Sequence, residues 1–270
     1  GTSANSRSNP SDVRRLRGWL GDDAHGSGRE VNMVIPRIII AGTQSGVGKT
    51  TVAMGLIAAL RRRGMKVQPF KVGPDYIDPS HLERAAGCPP RNLDTWLLTP
   101  QKVQQVFQHA SRIADLAVIE GGMGLFDGYG GTTERGSTAE VAKLLKAPVI
   151  LVVDASHMAR SAAAMVEGYR EFDRSVPLAG VIFNRVSERH FQLLRQALRD
   201  IQGVAVLGYV PNDASIAIPE RHLGLIPAQE QAPLTVALNR LAHLIHDTVD
   251  LARVVRLAKS APPLPEISEP

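Results

Sequence analysis

Lys49 and Thr50 close a glycine-rich stretch, AGTQSGVGKTT, and further along a second stretch, FKVGPDYIDPSHL, gathers Lys71, Asp75, Tyr76, Asp78 and His81 around a Gly-Pro turn. The chemistry of the first stretch is phosphate binding. Gly42, Gly46 and Gly48 leave room for backbone N–H groups to turn inward around phosphate oxygens, and Thr43, Val47 and Thr51 belong to the same cradle. Lys49 adds a point charge, and the Thr50 hydroxyl suits Mg²⁺. A third stretch, DLAVIEGGMGLFDGYGG, runs an apolar segment into Glu120 and then reaches Asp127. A carboxylate there can hold Mg²⁺ directly or through water, because that ion prefers oxygen ligands.

These groups meet only if the elements that carry them end on one edge of a sheet. From residue 37 to about 210, short apolar runs alternate with amphipathic stretches, the pattern of repeated βα units. The expected strands are Arg37–Ala41, Lys66–Phe70, Leu116–Glu120, Val149–Val153, Leu178–Phe183 and Ala205–Tyr209. The expected helices are Lys49–Arg63, Pro100–Ala110, Thr138–Leu145, Ser161–Phe172, Glu188–Ile201 and Leu234–Leu257. The fold class implied is α/β, a mostly parallel sheet flanked by helices, with a phosphate loop running into its first helix so that the helix's positive end faces the anion. In such sheets ligands collect at the carboxyl ends of the strands. Glu120 then emerges beside the phosphate loop, and Lys71, Asp75, Tyr76 and Asp78 line the far side of the γ-phosphate, placed to recognise an acceptor. The alternative is an ordinary turn with Asp75 and Asp78 as local caps.

The chain has 270 residues, a formal charge of +5 and one cysteine, Cys88. That length supports a single large α/β domain over residues 33–258. Residues 1–32 read as a disordered extension, and 259–270, rich in proline, as a linker. A lone cysteine excludes an internal disulfide framework and a cysteine-rich zinc site, and fits a cytoplasmic setting. The positive charge is scattered apart from the run at 61–63, which closes a helix where cations suit the dipole; this speaks against nucleic acid as a partner. No apolar run is long enough for a membrane span.

The motifs resemble the synthetase domain of the cobyrinic acid a,c-diamide synthases. The resemblance runs from about Arg37 to Leu225 and rests on AGTQSGVGKTT, VQPFKVGPDYIDPSH, RNLDTWLL, AVIEGGMGLFDGYG, STAEVAKLL, PVILVVD, LAGVIFNRV, LGYVP and PERHLGL. It implies a P-loop NTPase of the dethiobiotin synthetase/MinD-like type and an ATP-dependent carbon–nitrogen ligase. The implied reaction activates ring carboxylates of a corrinoid polycarboxylate with ATP and Mg²⁺, for displacement by ammonia. By the same resemblance Lys49, Asp75, Asp78, Glu120 and Asp127 are catalytic, and Tyr76 and Ile77 bind the acceptor; Lys71 stands beside them, and His81, in a family-like motif, is a further candidate for touching it. Thr50 and Glu120 hold the metal, with Asp75 a further candidate ligand. Asn184 matches an adenine-reading position, and Arg185 and Pro211 join it in the nucleotide set. Whether Asp75 or Asp78 acts as base or metal ligand stays open, as do the role of His222, the identity of the macrocycle (cobyrinate, hydrogenobyrinate or a nickel sirohydrochlorin) and pairing of two chains.

Two rivals are a dethiobiotin-synthetase-like ligase and a nucleotide-switched partition ATPase. Gln44 stands where the partition proteins carry an extra lysine, which argues against the second. Relatives continue into a glutaminase domain that supplies ammonia. Cys88, in AAGCPPRN, lacks the surroundings of a glutaminase nucleophile, so the expected nitrogen source for this chain is ammonia or a separate glutaminase domain.

Overall fold

The structure, a computed structural model, describes residues 32–213, 216, 231–265 and 267. Its first half runs β1 (Asn32–Met33), β2 (Arg37–Gly42), α1 (Lys49–Arg62), β3 (Val67–Val72), α2 (Ile77–Ala86), β4 (Arg91–Leu93), α3 (Pro100–Ser111) and β5 (Leu116–Glu120). The second half runs α4 (Thr138–Leu144), β6 (Val149–Asp154), α5 (Ser161–Phe172), β7 (Leu178–Asn184), α6 (Glu188–Ala197), β8 (Ala205–Val210), α7 (Gln231–Thr248), α8 (Leu251–Lys259) and β9 (Leu264–Pro265).

Seven strands form one sheet in the order β4-β3-β5-β2-β6-β7-β8, every neighbouring pair parallel. Side chains alternate across the sheet, so the continuous apolar run of β2 feeds both faces. Ile39 and Ala41 pack with α3, α4, α5 and α6, through residues such as Phe107, Val141 and Val166. Ile38 and Ile40 pack with α1, α2, α7 and α8, through Leu56, Leu82, Ile245 and Val254. The six expected strands and the parallel sheet flanked by helices are present.

Three expectations need correction. The turn after β3 leads directly into a helix, α2, because Pro79 falls in its first turn, where a missing N–H is not needed. The single helix expected over 234–257 is two, α7 and α8. At their junction the Asp250 carboxylate accepts from Arg253 N at 2.8 Å, while Asp250 N donates to Leu207 O at 2.8 Å. The junction covers edge strand β8, and it lies so close that a Cβ on Gly208 (φ 150) would stand 2.1 Å from Thr248 O. Third, the stretch read as a linker from residue 259 is anchored as far as Ile267. β9 pairs antiparallel with β1, Leu264 is buried, Pro265 O accepts from Gln108 Nε2 at 2.7 Å and Ile267 N donates to Gln108 Oε1 at 3.2 Å. Proline stops a helix, yet its carbonyl still accepts.

Arg37 ties that segment to the sheet. Its side chain is fully buried, and it donates to Leu145 O and Pro262 O at 2.5 Å each and to Ile35 O at 2.8 Å. Burial lowers the guanidinium pKa to about 10, so it remains charged at neutral pH. Arg37→Ala leaves these carbonyls without donors in a region closed to water. The expected loss is about 3 kcal/mol of stability, read as a fall in the urea midpoint at unchanged slope.

Candidate active site

Sheet register builds the site. In the β3–β5 ladder Lys71 lies opposite Glu120, and in the β2–β5 ladder Glu120 lies opposite Ile40, two residues before the phosphate loop. All three segments therefore end on one edge of the sheet, at the point where the chain crosses from one half to the other.

The loop after β2 turns with positive φ at Gly46 (77°) and Gly48 (97°) and enters α1 at Lys49. Gly48 has a second constraint: a Cβ there would sit 2.1 Å from Asn184 Nδ2. Asn184, at the end of β7, is buried; its Nδ2 donates to Val47 O at 2.8 Å, and its Oδ1 accepts from Arg185 N at 3.0 Å. Its amide thus props the phosphate loop from behind. Arg185 bonds Asp154 at 2.5 Å and reaches Gly46 O at 3.3 Å.

Beside the loop lies a compact charged cluster. Lys71 Nζ donates to Asp78 Oδ2 at 2.5 Å, Glu120 Oε1 at 3.0 Å and Gly121 O at 3.2 Å, with Asp75 Oδ2 at 3.8 Å. The Thr50 hydroxyl donates to Glu120 Oε1 at 2.5 Å. Lys49 Nζ donates to Gln44 O at 3.2 Å. Burial, and then the neighbouring charge of Lys71, lower the Lys49 pKa. Burial also works to lower Lys71, but Glu120 and Asp78 outweigh it and the pKa is raised. Burial raises the Glu120 carboxyl despite Lys71. Two buried ammonium groups near one another favour an incoming anion.

A cleft of about 800 Å³ opens over this cluster. Of the residues singled out by sequence, Gly46, Gly48, Lys49, Thr50, Thr51, Lys71, Asp75, Ile77, Asp78, His81, Glu120, Asp127 and Arg185 line it. Gly42, Thr43, Val47, Tyr76, Asn184 and Pro211 do not; Gly42, Val47 and Asn184 are buried behind the loop, and Tyr76 is largely exposed. His222 lies outside the described residues. Asp75 does serve as a local cap, its Oδ1 accepting from Ile77 N at 2.7 Å, while its other oxygen approaches Lys71. Asp127 Oδ2 accepts from Gly124 N at 2.9 Å and so shapes the glycine loop as it faces the cleft. His81 is 7% exposed, its Nδ1 has no hydrogen-bond partner among the described residues, and burial lowers its pKa.

Sequence reading missed Asn92 and Glu140. Asn92 Nδ2 donates to Gly73 O and Asp75 O at 2.8 and 2.5 Å, holding the acidic turn against β4. Glu140 accepts from Gly136 N at 2.7 Å and from the Thr95 hydroxyl. Both lie inside the quoted motifs RNLDTWLL and STAEVAKLL, but neither carries a local signal of its partner.

The donor set fits a hard divalent cation. Glu120 Oε2 is buried with no hydrogen-bond partner among the described residues, and the Thr50 hydroxyl is bonded to the same carboxylate. Among the described residues no three-residue metal cage exists, as suits Mg²⁺, which is commonly held by one or two carboxylates together with substrate phosphates. Asp75, assigned to the metal by sequence, approaches Lys71.

Among the described residues no helix is long and apolar enough to cross a membrane. The chain is 48% identical over 235 residues to the cobyrinate a,c-diamide synthase of Dehalococcoides mccartyi strain CBDB1, covering 87% of this chain and 51% of the relative. It is 52% identical over 235 residues to the hydrogenobyrinate a,c-diamide synthase of Thermobifida fusca, covering 86% and 49%. It is 45% identical over 238 residues to the cobyrinate a,c-diamide synthase of Archaeoglobus fulgidus, covering 88% and 52%. The chain thus spans about half the length of the curated relatives it matches. The family described as the CobQ/CobB/MinD/ParA nucleotide binding domain matches residues 38–226, a span that runs from β2 through the phosphate loop, the acidic turn and the glycine loop. The sheet topology, the loop geometry and that match agree: the chain belongs to the CobQ/CobB/MinD/ParA nucleotide-binding domain family.

Proposed function

We propose that this chain binds ATP with Mg²⁺ and phosphorylates acetate carboxylates of a corrinoid polycarboxylic acid, the acyl phosphate then being converted to an amide by ammonia. The observation that carries this reading is the meeting of the phosphate-loop Lys49 and Thr50 with Glu120, Lys71 and Asp78 in one cleft. The names of the relatives, of whose length this chain spans about half, supply the acceptor.

A carboxylate is a poor electrophile, and bringing it to ATP sets anion against anion. Lys49 and Lys71 oppose that repulsion from inside the cleft. A carboxylate oxygen of the acceptor attacks the γ-phosphorus, and the bond to the β-phosphate oxygen breaks, releasing ADP. Ammonia then attacks the acyl carbon; the carbon–oxygen bond breaks, and phosphate departs with the acceptor's oxygen. One ammonia proton leaves with the phosphate. Asp75 and Asp78, both facing the cleft, are placed to hold the incoming nitrogen nucleophile or relay its proton. Thr50 and Glu120 would hold Mg²⁺, which when bound neutralises charge on the β- and γ-phosphates.

The chain is incubated with Mg-ATP, ammonium and cobyrinic acid, and the corrinoid is weighed by mass spectrometry. The expected product has exchanged a hydroxyl for an amino group twice, with ADP formed in step; an unchanged corrinoid alongside nucleotide-dependent pairing of chains would instead favour a nucleotide switch. With glutamine replacing ammonium, no product is expected from this chain. Burial raises the Cys88 thiol pKa, its sulfur approaches the Val67 carbonyl and Gln68, and the ionisable groups acting on it among the described residues are Arg61, Glu83 and Arg91. A glutaminase nucleophile needs the opposite environment.

A further inference from the structure

Bordering the cleft-lining residues Gly128 and Gly136 stands a group that the reaction above leaves unused. Trp96 and Tyr129 stack with ring centroids 4.3 Å apart at 28°, and the guanidinium carbon of Arg135 lies 4.8 Å from the Trp96 ring centre. Trp96 is 45% exposed and Tyr129 65%. Large aromatic rings left this open cost apolar hydration, and adjacent ones rimmed by polar groups mark binding surfaces.

Position ties the stack to the cleft. Tyr129 directly follows Gly128, and Arg135 directly precedes Gly136, both cleft-lining residues; Tyr129 N donates to Arg135 O at 2.8 Å, closing the loop between them. Trp96 sits in the turn after β4, next to the acidic turn after β3. The backbone beneath is pinned. Asp94 Oδ1 accepts from Trp96 N at 2.8 Å and Leu97 N at 3.3 Å, and Glu140 clasps Thr95 to Gly136. Among the described residues no carboxylate forms an ion pair with Arg135. A cation without a counter-charge among the described residues, held over an exposed aromatic pair, matches a ligand that carries both an apolar ring surface and peripheral carboxylates.

We propose that Trp96, Tyr129 and Arg135 form a shelf that orients the acceptor macrocycle, the aromatic rings packing on its apolar surface and Arg135 pairing with a carboxylate that is not being phosphorylated. This rests on the functional reading above and adds positioning residues to it. The shelf fixes which carboxylate reaches the γ-phosphate, while Glu140 acts indirectly by holding the two shelf segments together.

The test separates acceptor from nucleotide. In the ammonium-dependent assay, Arg135→Gln is expected to raise the KM for cobyrinic acid about tenfold, with the KM for ATP changed less than about twofold and partial recovery in Arg135→Lys. Trp19→Phe leaves Trp96 as the sole tryptophan, and its fluorescence should be quenched by cobyrinic acid in the absence of ATP, at a midpoint shifted in parallel by Arg135→Gln. A KM for cobyrinic acid and a quenching midpoint that are the same with and without Arg135 would overturn the shelf. Failure of the unaltered chain to amidate cobyrinic acid would instead strike the functional reading and the shelf with it. Nucleotide affinity equal to that of the unaltered chain certifies that each variant is folded.

Discussion

Replacing Lys49 with alanine is expected to reduce ammonium-dependent amidation roughly a thousandfold at saturating acceptor, because a charge pair ~4 Å apart at an effective dielectric near 20 contributes about 4 kcal/mol. The fold should survive. The Lys49 ammonium donates a hydrogen bond to Gln44 O; burial and then the like charge of Lys71 lower its pKa, outweighing the attraction of Glu120, Asp78 and Asp127. Its removal takes away a repulsion along with the function, so the urea midpoint should stay level or rise slightly. Loss of activity with an unchanged or higher midpoint is the signature of a group built to meet an anion. A fall in both together would make Lys49 a packing residue and weaken the assignment of the loop.

Lys71→Ala should behave in the opposite way on stability. Lys71 is 4% exposed and stands between Glu120, which is fully buried, and Asp78. Without it two carboxylates face each other with no cation between them, at an expected cost of about 3 kcal/mol, and the side of the cleft proposed for the acceptor loses a positive charge. Glu120 already binds its proton more tightly in the fold than in the unfolded chain. Losing Lys71 pushes it further the same way. Stability of the variant should therefore rise as pH is lowered from neutral to about 5 and fall again as pH increases through the raised carboxyl pKa. Urea titrations at the two pH values check this. A variant whose loss is independent of pH would mean that the Glu120 carboxyl does not respond to Lys71.

The legible and illegible parts of this fold divide along physical lines. Apolar runs such as LAVIE and VILVVD are buried on both faces, so composition alone identifies them as interior parallel strands. The phosphate loop is legible because its glycines, lysine and threonine are each required by local geometry. Their common edge follows from parallel βα winding, and the cleft joins Lys49, Glu120 and Asp78 accordingly. What was hidden depends on contacts distant in sequence. β4 is three residues long and exists through its ladder with β3. The apolar spacing of α7 continues into α8, and only docking on the edge of β8 breaks the helix at Asp250. Asn184 reads as a strand end with a base-recognising amide; the structure has that amide occupied by the Val47 carbonyl, a bond spanning 137 positions. The Trp96–Tyr129 stack likewise joins the turn after β4 to the glycine loop, and nothing in either stretch announces the other.

Transfer of a labelled oxygen tests the central claim most directly. Cobyrinic acid carrying ¹⁸O in its carboxylates is converted with ammonium and Mg-ATP, and the inorganic phosphate released is analysed by mass. Attack of a ring carboxylate on the γ-phosphate in this cleft predicts one ¹⁸O in the phosphate for every amide formed. Amide formation accompanied by unlabelled phosphate would contradict it.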